Sequence, residues 1–256
     1  MTNREILDIA MRQSAVDLCC SPSDFTASEN VIVRSAKNDN ARIYLELPFI
    51  CNMVSYGGNV VASAGEGFED IAREYLSRTD AMHCFETPSI YLLNRAFEPF
   101  GAAVCFMAEY WLPDLNALKE QPCRFELRTL YKEDFAELYK PEWSNALCEK
   151  RSFADVLAVG AYDGSELVGL AGCSADCGDM WQIGVDVLPG YRRCGIASAL
   201  TSRLALLILD EGKVPFYCCA WCNIRSARNA VKSGFRPAWN EMTVKSMGFI
   251  DELNNH

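Results

Sequence analysis

Hydrophobic residues change their period once between positions 180 and 212, and this change is the clearest structural signal in the chain. Ile183, Val185 and Val187 alternate with Gln182, Gly184 and Asp186, the two-residue period of a strand, and the pattern predicts a strand over Met180–Val187. From there on Ile196, Ala199, Leu200, Leu204, Leu207 and Ile208 fall on one face of a helix closed by Asp210 and Gly212. Between the two elements lies a turn through Pro189, Gly190, Tyr191, Arg192, Arg193, Cys194 and Gly195. In the rest of the second half, strands are predicted over 124–129, 156–162, 167–173, 215–220 and 238–245. Asp163-Gly164-Ser165 reads as a hairpin turn, 132–147 as one or two short helices broken at Pro141, and Asn223 opens another helix. In the first half, a Thr2/Glu5 capping box opens a helix that runs to Leu18. Strands are predicted there over 31–34, 42–47, 52–56, 59–64, 82–85 and 103–111, with helical spacing over 68–76 and 88–101. Pro113 and Pro122 bracket a polar connector over 113–122, which separates a smaller α/β domain over 1–112 from a second domain over 123–256.

The turn before Ile196 carries the candidate chemistry. A strand that ends in such a turn and opens into a helix presents unpaired N–H groups at the positive end of the helix dipole, which suits a phosphate or pyrophosphate. Gly195 permits close backbone approach, Ala197 keeps the first helical turn uncluttered, and Arg192 and Arg193 add positive charge. Taken alone, the segment also reads as an ordinary strand–turn–helix with solvated arginines.

The spacing Arg192-x-x-Gly195-x-Ala197 resembles the acyl-coenzyme A signature of the GNAT N-acetyltransferase superfamily, Arg/Gln-x-x-Gly-x-Gly/Ala. Asn223, Ser226 and the terminal Gly234-Phe235 resemble the helix that follows it in that superfamily, with the strand over 215–220 between the two blocks. The resemblance extends over about residues 123–245. It implies an α+β (mixed α/β) chain whose second domain has the GNAT fold, with a mostly antiparallel sheet that splits between its fourth and fifth strands. It further implies an acyltransferase that moves an acetyl group from acetyl-CoA to the amine of a small molecule. The cofactor contacts it carries over are Val185 and Val187 on the strand, the loop residues Arg192, Arg193, Cys194, Gly195, Ile196 and Ala197, and Asn223 and Ser226 on the second helix.

The catalytic positions depart from the superfamily pattern. A glutamate base is frequent ten residues before the loop arginine, where this chain has Gln182, and a tyrosine acid seven residues after the helix asparagine, where it has Ala230. Glutamine cannot take a proton from an ammonium. Asp186, which shares strand parity with Gln182, and Ser226 and Cys222, near the expected sulfur position, are the nearby substitutes. Glu46, Glu66, His83, Glu86 and Glu109 of the first half are further candidates, in an acceptor site expected between the two domains. A site that merely positions an already neutral amine needs no dedicated base. Two readings remain: an N-acetyltransferase, and a non-catalytic acyl-CoA-binding sensor.

Composition narrows the setting. A net charge of −10 disfavours nucleic acid, and 256 residues with 50% apolar content can bury substantial cores. No targeting or membrane-spanning segment is visible, and the 13 cysteines, an odd number, point to free thiols in a reducing compartment, hence the cytoplasm. Cys219-Ala-Trp-Cys222 has metal-ligand spacing but falls on an expected buried strand, so no metal is expected. A homodimer is compatible with the sequence. The predicted strand, helix and strand over 82–111 parallel 215–245, and the first half reads either as a degenerate copy of the second or as an unrelated α+β cap.

Overall fold

The computed structural model describes residues 1–255. The chain forms two compact units: Met1–Ile9 with Trp111–Pro237, and Ala10–Tyr110 with the segment from Ala238 onward. Three elements, α1 (Asn3–Leu18), β4 (Ala102–Pro113) and β10 (Phe235–Ser246), each begin in one unit and end in the other. Each unit therefore takes in residues from both sides of the 113–122 segment. The connector itself is packed: Asn3 Nδ2 donates to Asp114 Oδ1 at 2.8 Å, the Leu115 N–H donates to Asn3 Oδ1 at 2.9 Å, and the Gln121 N–H donates to Ser202 Oγ at 3.1 Å.

In the first unit, β5 (Glu126–Tyr131), β6 (Asp155–Asp163), β7 (Glu166–Ser174) and β8 (Met180–Val187) run antiparallel in succession. β9 (Val214–Ala220) joins β8 in parallel. Helix α4 (Ile196–Asp210) lays Ile196, Leu200, Leu204, Ala205 and Ile208 on Val159, Ala161, Val168 and Ala171 of this sheet. Each fully buried leucine contributes about 2 kcal/mol. Helix α5 (Ile224–Lys232) follows β9. The β8–β9 pairing covers Met180↔Val214 to Gln182↔Phe216 and then ceases, so Ile183–Val187 continue with no β9 partner. This is the expected split between the fourth and fifth strands of the second half.

The second unit has the strand order β1 (Val31–Arg34), β3 (Val61–Ala64), β2 (Cys51–Ser55), β10, with β1 and β3 parallel. Helices α2 (Glu69–Arg78) and α3 (Thr87–Phe97) bury Ala72, Tyr75, Leu76, Leu93 and Phe97 with Met53, Ala62 and Met242. The last strand of the second half thus pairs with β2 of the first, Asn240↔Ser55 to Val244↔Cys51. Helix α6 (Met247–Asn254), capped by Ser246 and absent from the sequence expectations, follows it.

Three expected elements differ. Residues 42–47 alternate like a strand but form turns, because Arg42 is drawn into a buried ion pair with Asp17 and a longer one, 3.4 Å, with Glu241. Residues 82–85 are a turn, so the parallel between 82–111 and 215–245 lacks its first strand. The region 132–147 forms short 3-10 turns at Lys132–Asp134, Ala136–Leu138 and Pro141–Trp143 instead of α-helices. The mixed α/β class with mostly antiparallel strands agrees with the sequence.

Candidate active site

The turn between β8 and α4 owes its shape to two left-handed residues. Gly195 has φ 83° and caps α4 with no side chain, while Arg193, at φ 63°, holds a conformation that non-glycine residues seldom adopt. Among the described residues, the N–H groups of Arg193 through Ser198 donate to no partner, and the first helical bond of α4 is Ala199 N–H to Gly195 O at 3.1 Å. A run of free amides at the positive end of a helix is an anion-binding concavity. Arg192 braces it from below, its Nε donating to Val187 O at 3.0 Å.

These amides open onto a cavity of about 1050 Å³, at the upper end of the range for small-molecule sites. Its wall contains Val185, Asp186, Val187, Arg192, Arg193, Gly195, Ile196, Ala197, Asn223 and Ser226, so most of the sequence-predicted residues converge here. Gln182 and Cys194 do not line it; Cys194 is exposed, its thiol donating to Arg192 O at 3.6 Å. Arg225, Arg228 and Lys232 of α5 join Arg192 and Arg193, leaving Asp186 as the one carboxylate in the lining. In a chain of net charge −10, such a concentration of cations gives the cavity a field that suits an anion.

Asp186, considered above as a proton acceptor, is held by the loop at 145–146. Its Oδ2 accepts from the Asn145 and Ala146 N–H groups at 2.8 and 3.0 Å, and its Oδ1 from Asn145 Nδ2 at 2.6 Å. The carboxylate pins the 145–146 backbone to the sheet. Gly172 and Gly184, partners across β7 and β8, leave room for it: a Cβ on Gly184 would come within 1.7 Å of Asn145 O, and one on Gly172 within 2.2 Å of Ala146 O. Asp155 holds the flanks of the same loop, accepting from Cys148 N–H at 3.0 Å and Tyr139 OH at 3.2 Å, and its burial raises its own carboxyl above the usual range. Gln182 sits on the last β8–β9 rung, its Nε2 donating to Cys218 Sγ at 3.0 Å.

At the other side of the split, Tyr217 and Ser226 share a 2.6 Å hydroxyl–hydroxyl hydrogen bond. Tyr217 lines the cavity one residue beyond the last paired rung of β9, and burial holds its phenol above the usual tyrosine range. Asn223 caps α5, Oδ1 accepting from Ser226 N–H at 3.2 Å, which fixes the serine under the tyrosine. Asn223→Ala is expected to lower stability by about 1 kcal/mol through loss of the cap. It should also raise the Michaelis constant for the cofactor, which thermal melting and steady-state kinetics would separate.

Tyr217, Arg225, Arg228 and Lys232 were not singled out by the sequence. The three cations carried a legible signal, since their 3- and 4-residue spacing places them on one helix face. Tyr217 carried none, because a tyrosine in the continuous apolar run Val214–Ala220 reads as core. In the second unit, Glu46 pairs with Lys245, Glu66 with Arg34 and His83 with Asp80. Among the described residues, no group of three or more His, Cys, Asp or Glu is placed to hold a metal ion, and no helix is long and apolar enough to cross a membrane.

No curated protein matches the chain. Solved structures similar to part of it include a GNAT-family acetyltransferase from Novosphingobium aromaticivorans, at 18% identity and a TM-score of 0.43 over 56% of this chain and 66% of that one. A GCN5-related N-acetyltransferase-like protein from Streptococcus suis gives 19% and 0.46 over 60% and 69%, respectively. A GCN5-related N-acetyltransferase from Sphaerobacter thermophilus gives 15% and 0.48 over 73% and 72%. The chain thus spans just under two thirds of the first of these proteins. The family model for GNAT acetyltransferases matches residues 57–240, well over half of the chain. The chain belongs to the GNAT acetyltransferase family.

Proposed function

We propose that the protein binds acetyl-CoA in this cavity and transfers the acetyl group to the amine of a small molecule. The observation that carries the reading is the run of partnerless amides from Arg193 to Ser198, set at the head of α4 under Arg192 and Arg193 and beside the point where β8 leaves β9. The amides and arginines suit the pyrophosphate, and the unpaired edge of Ile183–Val187, including Val185 and Val187, suits the amide-bearing pantetheine arm. The arm would then bring the thioester to the split, near Tyr217, Asn223 and Ser226. Free cysteines throughout the described chain fit a reducing, cytoplasmic setting.

The chemistry follows from which groups are free. The amine nitrogen attacks the acetyl carbon, the C–S bond breaks, and the departing thiolate needs a proton. Tyr217 is the candidate donor, because its hydroxyl lines the cavity at the split and is held by Ser226 at 2.6 Å. With Asp186 committed to the Asn145–Ala146 backbone, the cavity holds no uncommitted carboxylate base, so the acceptor enters as the neutral amine and gives up its proton to solvent. Tyr217→Phe is expected to lower kcat by roughly 100-fold while the Michaelis constant for acetyl-CoA stays near its original value. An equal fall in affinity would make the tyrosine a binding residue instead.

The same lack of an uncommitted carboxylate favours the second reading, a sensor that binds acyl-CoA without turnover. Incubation with acetyl-CoA and a broad amine panel decides between them. Thiol release above the hydrolysis blank supports the enzyme, and binding without release for every amine supports the sensor.

A further inference from the structure

We infer that the apolar face of α6, with a small cavity at its N-terminal end, is a self-association surface on which a second copy of this chain packs its own α6 in antiparallel fashion. This goes beyond the proposed activity and does not depend on it.

Helix α6, Met247-Gly-Phe-Ile-Asp-Glu-Leu-Asn254, is amphipathic. At about 100° per residue, Phe249, Leu253, Ile250 and Met247 fall in one arc, flanked on its two sides by Glu252 and Asp251. None of the four is buried: Phe249 and Ile250 are half-buried, and Met247 and Leu253 are 41% and 48% exposed. Phe106, itself 45% exposed, extends the patch, its ring centroid 6.0 Å from that of Phe249. A helix this short is marginal in water unless its apolar face packs on something, and here much of that face meets solvent.

A hole lies beside these knobs. A cavity of about 160 Å³ opens among Pro48, Phe49, Ile50, Val244 and Phe249, where α6 begins. In an antiparallel pair, the C-terminal Leu253 of each helix reaches the N-terminal end of the other. Each copy then offers a leucine where the other offers the cavity, and such reciprocal contacts close at two copies.

Charge selects a second copy over other apolar partners. Asp251 and Glu252 stand in the last turn of α6, at the negative end of its dipole, and neither has an ion-pair partner among the described residues. Lys245 stands just before the positive end, and its 2.6 Å ion pair is with Glu46, a mostly exposed side chain. An antiparallel pair sets the carboxylates of each helix against Lys245 and the positive end of the other, at both ends at once.

Sedimentation equilibrium of the full chain over a concentration series tests the assignment. A reversible monomer–dimer equilibrium is expected, with a dissociation constant on the order of micromolar that rises with salt. Leu253→Asp should weaken it by about 30-fold or more, and Asp251→Lys/Glu252→Lys should weaken it through like charge against Lys245. All three positions are exposed, so the melting temperature of the dilute monomer should stay unchanged in both variants. A chain that remains monomeric up to roughly 100 μM overturns the proposal. So does a dimer that both variants leave intact, since that assigns association to another surface. A monomer that instead co-sediments with phosphatidylcholine vesicles, and loses this in Leu253→Asp, gives the face to a membrane and overturns it too.

Discussion

Gly184→Ala is expected to cost about 3 kcal/mol of stability, the upper end of the usual overpacking range, and to lift the 145–146 segment off the sheet. The added methyl would stand 1.7 Å from Asn145 O, and the atom in its way belongs to backbone that cannot rotate aside. That backbone is also tied by Asp186 through Asn145 and Ala146, so displacing it breaks these hydrogen bonds as well. Gly172→Ala, 2.2 Å from Ala146 O, should act in the same direction, whereas Gly178→Ala meets nothing within 4 Å and should be nearly neutral. Denaturant unfolding of the three variants checks the order. Wild-type stability in Gly184→Ala would mean that the loop does not lie on the β7–β8 pair as described. Because this loop lies against the strand that carries Gln182 and Asp186, turnover should fall further than cofactor affinity.

The largest effect on cofactor binding is expected from Gly195→Val, about a 100-fold loss or more. A β-branched residue at φ 83° is strained by roughly 1–2 kcal/mol or more, and relieving the strain rotates the amides that follow. The valine also fills the space a phosphate would occupy beside Lys232. Arg192→Glu removes the bond to Val187 O and sets a negative charge against the diphosphate, with an expected loss of roughly 10- to 150-fold. Arg192 is exposed, so its replacement should leave the melting temperature little changed, whereas Gly195→Val should lower it. Calorimetry with coenzyme A, paired with thermal melts, separates the two. Unchanged affinity in both variants would remove the loop from the binding site.

Local patterns made much of this molecule legible in its sequence. Strand β8, the Gly195 turn and α4 were readable because alternation, a glycine and a helical stripe are signals carried within about thirty residues. The site's other wall was not, because its contacts join distant positions. Asp186 meets Asn145 41 residues away, and Gly172 faces Gly184 only once the β7–β8 register is set. Residues 42–47 misled for a related reason: their alternation is that of a strand, but the partner that decides their shape is Asp17, on α1. Likewise β10 read as the last strand of the second half, yet it pairs with β2 of the first, from Asn240↔Ser55 to Val244↔Cys51. Tyr217 required the point where β8 and β9 part, which pairing reveals and composition does not.

Amide hydrogen exchange at Arg193 through Ser198, measured by NMR with and without coenzyme A, tests the central claim most directly. With their N–H groups partnerless in the free protein, these residues should exchange fast without ligand and slow markedly on saturation, as each amide gains a phosphate oxygen. Exchange rates unchanged at saturating coenzyme A would contradict the account.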